Sequence, residues 1–307
     1  MSAPVLPSVV VPPQQDLKQP AKSLNTRRSG AVDSRSKRAV RALITQPGLL
    51  LALLFCAVVI AWTIAPSAFT SIDPVDDLDS AASLSGPSSA HWFGTDALGR
   101  DVFSRVVHGT RVSVIAAVIA TSLSLVVGSI LGVTAGYIGG WFDSVISRTV
   151  DVLVAIPSLL LSMAVVSILG FGVTNVAIAV GVAGIPSFVR ITRAETLRIK
   201  SFAYIDASRA MGQGNLRIIF AHVLPNAAGA VFVLAALDLG GAVLSISALS
   251  FLGFGNVPPT PEWGSMVSEG RVHIAGAWWL TTFPGLAIAG LVLSANRISR
   301  QFGARRR

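Results

Sequence analysis

Residues 111–136 read RVSVIAAVIATSLSLVVGSILGVTAG, a run that no acidic residue interrupts. A membrane-spanning helix needs about 20 mainly apolar residues, so this stretch predicts one span. Gly128, Gly132 and Gly136 recur every four residues within it and Gly140 continues the series, which places them on one helical face. The spacing predicts either a close seam with another helix or ordinary tight packing with no particular partner.

Five further stretches have the length and apolar character of spans, and the shortest of them is 174–190. With residues 111–136 they predict an all-α membrane protein with six transmembrane helices. The other four stretches are 48–66, 148–170, 224–252 and 276–297.

The composition agrees with a membrane protein. Of the 307 residues 52% are hydrophobic and 13% are charged, and the mean hydropathy is +0.68, values that exclude an ordinary water-soluble globule. The net charge of +9 could suggest nucleic acid as a partner. Long apolar runs separate the basic clusters, however, so we expect lipid and no nucleic acid as the partner of this charge. A single cysteine, Cys56, excludes an intramolecular disulfide and a cysteine metal cluster.

The basic residues predict the orientation in the membrane. With both termini in the cytoplasm, 20 of the 24 Lys and Arg residues lie inside, as the positive-inside rule requires. Residues 190–220 are then cytoplasmic, and residues 67–110 and 253–275 lie outside. We therefore expect a multi-pass cell-membrane protein, divided as follows: a disordered basic tail at 1–47, the first transmembrane helix at 48–66, an extracytoplasmic loop at 67–110, a five-helix core at 111–300 that contains the cytoplasmic segment 190–220, and a basic tail at 301–307.

Residues 201–225 read SFAYIDASRAMGQGNLRIIFAHVLP and predict two short helices joined by a bend. Helix formers continue to Met211, and Gly212 with Gly214 interrupts them. Asn215 can cap a second helix that reaches Phe220. The first helix presents apolar surface at Phe202, Ile205, Ala210 and Met211. Asp206 and Arg209, three residues apart, can form a surface ion pair. Two interpretations stay open: a docking surface for a protein partner, or an amphipathic helix on lipid headgroups.

The residues of this segment resemble a known motif. The series Asp206-Ala207-Ser208, Gly212 and His222-Val223-Leu224-Pro225 is similar in spacing to the loop of ATP-binding-cassette (ABC) importer permeases that reads EAA, three residues, Gly, nine residues and I-x-L-P. Asp replaces Glu, Ser replaces the second Ala, and His stands at the Ile position. The resemblance implies a coupling helix that docks on an ATPase subunit through Tyr204, Asp206, Ala207, Ser208, Arg209, Gly212, His222, Leu224 and Pro225.

Two further stretches narrow the resemblance. Residues 91–105, HWFGTDALGRDVFSR, resemble the block H-P-L-G-T-D-x-x-G-R-D-x-x-S-R of dipeptide and oligopeptide importer permeases of the C-subunit type. Residues 248–266 are similar to the end of the fifth span in the same permeases. The implied loop or gate residues are Gly94, Thr95, Asp96, Gly99, Arg100, Asp101 and Arg105. A structural plug and a contact with substrate or binding protein both stay open for them.

The resemblance implies the type I ABC importer permease fold and a share in an ATP-driven import pathway. The implied partners are a homologous second permease subunit, two ABC ATPase subunits or a fused ATPase, and an extracytoplasmic substrate-binding protein. ATP and Mg would be bound by the ATPase subunits and no cofactor by this chain. The substrate would be a dipeptide, an oligopeptide or another small solute.

The remaining motifs point away from an enzyme. No Gly-x-x-x-x-Gly-Lys-Ser/Thr loop is present, and the four histidines show no metal-ligand spacing. Asp238 is an acid in the middle of an apolar stretch, which predicts either a pathway role or a structural hydrogen bond. An ion-coupled secondary transporter and a membrane scaffold for a cytosolic partner stay open as alternatives.

Overall fold

The computed structural model of the protein describes residues 47–256 and 258–304. The predicted tail before Pro47 and the last three residues of the basic C-terminal tail lie outside these ranges. The described residues fold into helices and contain no strand. The helices are α1 (Pro47–Ile64), α2 (Val102–Ile138), α3 (Gly140–Ala155), α4 (Ser158–Leu169), α5 (Val173–Lys200), α6 (Ala203–Ala210), α7 (Asn215–Ile218), α8 (Leu224–Phe251), α9 (Trp263–Gly270) and α10 (Trp279–Ala304).

Helices α2 and α5 extend well beyond the stretches that hydropathy predicts. Helix α2 begins at Val102, inside the predicted loop 67–110, because the side chain of Asp101 accepts a hydrogen bond from the Ser104 amide at 2.7 Å and caps it. Helix α5 continues ten residues past the predicted end at 190. Thr196 and Ile199 in that extension are fully buried, so packing stabilises a segment whose composition alone resembles a loop.

The glycines of α2 form a seam with α5. An added Cβ at Gly132 would lie 2.8 Å from Thr192 Cβ, and one at Gly136 would lie 2.9 Å from Thr196 Cβ. The interpretation as a helix-packing seam is therefore confirmed for the glycines within α2. Gly140 has open space around it and lies outside the seam. Residue numbers rise together along both helices, so α2 and α5 run parallel.

The predicted third span at 148–170 is not one straight helix. Helices α3 and α4 meet at a bend of 97°, because Pro157 cannot donate a backbone hydrogen bond there. Their 16 and 12 residues give a combined end-to-end distance of about 28 Å at this angle. That distance approaches the thickness of the hydrocarbon core. Since α2 and α5 run parallel, the bent pair must carry the chain back between their opposite ends.

Five helices are long and apolar enough to cross a membrane, and the bent pair makes up to six spans in the described residues. The last two straight spans pack together: the Ser299 hydroxyl of α10 donates to the carbonyl oxygen of Val233 in α8 at 2.8 Å. Helix α7, a π turn at Ile219–Val223 and α8 run on without a break.

Different segments of the chain form the two ends of the bundle. At the loop end lie residues 67–101, α9 and the segment around Phe254, whose carbonyl oxygen accepts a hydrogen bond from the Gly172 amide at 3.0 Å. At the elbow end lie the C-terminus of α2 and residues 201–223. Helix α2 has 37 residues and is about 55 Å long, so it connects both ends.

Candidate functional site

The elbow at residues 201–214 is built around a helix-terminating glycine. Gly212 has φ of +79°, and its amide donates to the Arg209 carbonyl oxygen at 2.9 Å. The Gln213 amide donates to the Ser208 carbonyl oxygen at 3.1 Å. These two bonds form a Schellman motif, the standard way in which a glycine ends a helix. The predicted glycine elbow is present in the structure.

The elbow helix α6 has one buried face and one exposed face. Ile205 is fully buried and Ser208 is 5% exposed. On the exposed face lie Tyr204, Asp206, Ala207, Arg209 and Gly212, together with Met211, which is 73% exposed. The Arg209 guanidinium lies 3.5 Å from the Asp206 carboxylate, so the predicted surface pair forms. Ile205 was expected to add to the apolar outer surface, and this prediction was wrong.

The second half of the motif follows the elbow. The rings of His222 and Tyr204 meet edge to face with centroids 5.8 Å apart, and Leu224 and Pro225 open α8. Asn215 does not cap α7 as predicted, because Gly214 is the capping residue. The Asn215 side chain instead accepts a hydrogen bond from the Tyr137 hydroxyl at 3.0 Å. No motif in the sequence pointed to Tyr137, which lies 69 residues before Asp206.

At the loop end, Asp96 is the centre of a buried charge cluster. Its carboxylate accepts hydrogen bonds from the Arg100 Nε at 2.7 Å, from the Leu98 amide at 2.8 Å and from the Arg105 guanidinium. Burial alone would raise the pKa of Asp96, but the Arg105 charge and the hydrogen bonds outweigh it and hold that pKa below its ordinary value. Glu269 of α9 adds a second carboxylate 3.1 Å from the Arg105 Nη2.

The neighbouring loop residues have packing roles. An added Cβ at Gly94 would lie 2.7 Å from the indole nitrogen of Trp279, and one at Gly99 would collide with the Asp79 carbonyl group. The Thr95 carbonyl oxygen accepts a hydrogen bond from that indole at 3.1 Å. Asp101 caps α2, and its Oδ2 lies 2.9 Å from the Nδ1 of His91. The block 91–105, called the plug below, thus packs against α10, and this contact could not be read from the sequence.

A cavity of about 290 Å³ lies between this plug and α9. Asp96, Arg100, Arg105, Glu269 and His273 supply its polar lining. The first three belong to one sequence motif. Glu269 and His273 lie more than 160 residues further along the chain, so the motif could not reveal them. Acidic and basic side chains therefore line the same cavity at the loop end.

Glu262 is another residue that the sequence analysis did not single out. Its carboxylate accepts hydrogen bonds from the amides of Gly264 at 3.0 Å and Ser265 at 2.9 Å and from the Ser113 hydroxyl at 3.2 Å. The side chain is fully buried, and burial raises its pKa despite these bonds. Glu262 thereby ties the start of α9 to α2.

Asp238 lies apart from both groups. Its Oδ2 accepts a hydrogen bond from the Thr121 hydroxyl of α2 at 3.1 Å, and an added Cβ at Gly184 of α5 would lie 3.7 Å from its Oδ1. The acid is thus placed where α2, α5 and α8 meet. Within the described ranges no three His, Cys, Asp or Glu side chains form a group that could hold a metal ion.

Comparison with known sequences identifies the family. The family described as "Binding-protein-dependent transport system inner membrane component" matches residues 128–307. The glutathione transport system permease protein GsiD of Pectobacterium atrosepticum is 44% identical over 69% of this chain and 70% of its own length. The dipeptide transport system permease protein DppC of Haemophilus influenzae is 41% identical over 81% of this chain and 86% of its own length.

Comparison with solved structures agrees at the level of the fold. A structure of the MetNI methionine ABC transporter in an inward-facing conformation matches 65% of this chain and 97% of its own, with a TM-score of 0.53 and 19% sequence identity. The predicted type I importer fold is confirmed by this likeness. The chain thus belongs to the inner-membrane components of binding-protein-dependent transport systems, and it is a multi-pass permease subunit of an ABC importer.

Proposed function

We propose that this permease forms one half of a translocation pathway for short peptides, and that a homologous second permease forms the other half. The relatives named above transport dipeptides or glutathione, itself a small peptide-like solute, according to their names. An extracytoplasmic binding protein would deliver the substrate at the loop end. ATP and Mg would be bound by two ABC ATPase subunits or a fused ATPase at the elbow end.

The elbow carries the proposal. It projects Asp206, Arg209 and Met211 on one exposed face, and Gly212 has open space where a side chain would stand. An exposed apolar side chain beside a charged pair is the composition that a protein partner can bury and orient. The same face on lipid headgroups would place the Asp206 carboxylate against anionic lipid, which disfavours that alternative.

In this mechanism, ATP binding closes the ATPase subunits and moves the elbow. Helix α5 enters the elbow at Lys200, and α8 leaves it through the π turn, so both helices move with it. Because α2 is packed on α5 along the glycine seam, the displacement reaches the plug around Asp96. Nucleotide shifts the balance between inward-facing and outward-facing states only by binding one of them better.

Asp238 and the plug are the proposed contacts along the pathway. Asp238 is half-buried where three spans meet and has one hydrogen-bond donor, Thr121. A charged acid at this depth costs free energy unless it faces a water-filled cavity, pairs with another group or is protonated. The plug residues Gly94, Thr95, Asp96, Gly99, Arg100, Asp101 and Arg105 would form the outer gate. Both chain termini would lie in the cytoplasm, in agreement with the charge bias.

The test is uptake by the complete assembly in proteoliposomes. Radiolabelled dialanine and glutathione are offered with the binding protein outside and ATP inside. We expect ATP-dependent accumulation of one of them, together with a second permease and an ATPase that co-purify with this chain. A chain that purifies alone and accumulates solute without ATP would overturn the proposal.

A further inference from the structure

The elbow needs an anchor outside itself. Helix α6 has only eight residues, and isolated helices of this length are marginal even in favourable sequences. It is joined to α5 through Ser201 and Phe202 and to α7 through the bend at Gly212. A partner that pushes on such a segment would tilt it at its two joints and pass less of the displacement to α5 and α8, unless another element fixes its orientation.

Tyr137, one residue before the end of α2, contacts all three parts of the elbow region. Its backbone oxygen accepts a hydrogen bond from the Lys200 Nζ at 2.7 Å, and the same ammonium lies 5.6 Å from its ring centroid. The Arg209 guanidinium lies 5.7 Å from that centroid. The Tyr137 hydroxyl donates to Asn215 Oδ1 at 3.0 Å. One side chain therefore touches the last residue of α5, a residue within α6 and the first residue of α7.

The position of Tyr137 makes it a rigid support. Its side chain is 7% exposed and packs in a small apolar cluster with Ile199, Ile205, Ile218 and Val223. It follows Gly136, the last residue of the seam that joins α2 to α5. Cation–π contacts with Lys and Arg strengthen when water is excluded from one side of the ring, as it is here.

We propose that Tyr137 is the positioning residue that holds the elbow at a fixed orientation on α2. The role in transmission rests on the proposed function, because it requires that an ATPase push on the elbow. The orientation itself does not depend on that function and can be measured separately. In physical terms, Tyr137 converts a hinged eight-residue helix into an extension of the α2–α5 pair.

Two substitutions separate the contribution of the Tyr137 ring from that of its hydroxyl. Tyr137→Leu keeps apolar volume and the backbone oxygen that binds Lys200, but it removes the ring face and the hydroxyl. Tyr137→Phe removes only the hydroxyl and should retain the elbow orientation through the ring. Phe142→Leu is the matched control, since Phe142 is a half-exposed aromatic residue at the same end of the bundle with Trp141 as its aromatic neighbour.

The first measurement is amide hydrogen exchange of residues 202–214 in the purified assembly in nanodiscs. We expect about tenfold faster exchange in Tyr137→Leu, since two cation–π contacts and one hydrogen bond are lost. The Phe variant and the Phe142→Leu control should stay within about twofold of the parent. Unchanged exchange in Tyr137→Leu would overturn the proposed anchor, whatever the function of the chain.

The second measurement is the number of ATP molecules hydrolysed for each solute molecule imported. A loss of folded protein lowers both rates equally, whereas a misoriented elbow keeps hydrolysis and loses transport. We expect the ratio to rise about threefold or more in Tyr137→Leu and to return to the parent value in Tyr137→Phe. Faster exchange with an unchanged ratio would remove Tyr137 from transmission and leave it as a local anchor only.

A third variant covers the case in which Tyr137→Leu fails to assemble. Lys200→Met removes the ammonium that binds both the backbone oxygen and the ring of Tyr137, and it leaves the tyrosine in place. The same faster exchange of residues 202–214 is expected. Parent-like exchange and a parent-like ATP ratio in this variant would contradict the proposal.

Discussion

The backbone conformation of Gly212 shapes the exposed surface of the elbow. Its φ of +79° lies in the left-handed region, which residues with a Cβ enter at a cost of roughly 1–2 kcal/mol. Apart from Gly212 and its two neighbours in the chain, no atom of the described residues lies within 4 Å of the place where a Cβ would stand. The glycine is therefore required by the turn, and the free space beside it belongs to the exposed face. Gly214, two residues on, has an ordinary φ of −67° and equally open surroundings.

The first prediction compares these two glycines. Gly212→Arg should leave the protein in the membrane but abolish co-purification of the ATPase, because it strains the bend and fills the docking face. Gly214→Ala should co-purify the ATPase at the parent level. The measurement is a pull-down from mild detergent with quantified ATPase. Parent-level ATPase with Gly212→Arg would remove the elbow from the docking surface.

Asp96 carries the second prediction. It lies between the guanidinium groups of Arg100 and Arg105, and Arg105 is only 2% exposed. Removing one partner of a buried ion pair costs about 3–5 kcal/mol because the other charge stays buried. Asp96→Asn should therefore lower the melting temperature of the nanodisc-embedded protein by several degrees, whereas the exposed Asp77→Asn should not.

The pH dependence of the same carboxylate gives the third prediction. Its pKa is lower in the folded protein than the ordinary 3.8, so the folded state favours its ionised form. This stabilisation is complete above the unfolded-state pKa and is lost as the pH falls through the folded-state value. The melting temperature of the parent should fall more steeply between about pH 5 and pH 3 than that of Asp96→Asn. Parallel curves for the two proteins would contradict the assignment.

At the scale of elements, the α2–α5 seam leads to the fourth prediction. Gly132→Val would press a branched side chain against Thr192 and the Val189 carbonyl oxygen, both 2.8 Å from the position of an added Cβ. Overpacking of this kind costs about 1–3 kcal/mol. Gly241→Val in α8 is the control, since open space surrounds that glycine. Thermal unfolding in nanodiscs should separate the two variants, and equal melting temperatures would argue against a close seam.

The elements also show which features the sequence could predict. Hydropathy located the spans because bilayer thickness fixes their length, and the glycine spacing located the seam. Hydropathy could not find the start of α2 at Val102. Asp101 and Arg105 are charged residues, and their burial depends on partners that a hydropathy profile does not include. Hydropathy also missed the bend before Ser158, because composition does not reveal whether Pro157 kinks a helix or breaks it. In the candidate site, the motif residues were predictable, whereas Tyr137, Glu269 and Trp279 depend on contacts distant in sequence.

At the scale of the whole molecule, α2 makes the two ends of the bundle mechanically continuous. Asp101 caps its first turn beside the charge cluster, and Tyr137 lies beside the elbow near its last residue. The parallel partner α5 is bound to it between these points. In a permease with this arrangement, α2 and α5 can carry a displacement from the elbow end to the loop end as a nearly rigid pair. The proposed function then requires the two ends to lie on opposite sides of the membrane.

The last prediction therefore concerns the orientation of these ends. In a Cys56→Ser background, Leu98→Cys places a thiol on the exposed loop end, and Leu216→Cys places one on the exposed elbow end. Because 20 of the 24 basic residues lie inside when both termini are cytoplasmic, we expect a membrane-impermeant maleimide to label Leu98→Cys in right-side-out vesicles. Leu216→Cys should react only in inside-out vesicles stripped of ATPase, and Cys56→Ser alone should remain unlabelled. The reverse pattern would mean that the elbow lies outside the cell, where no ATP-driven partner could reach it.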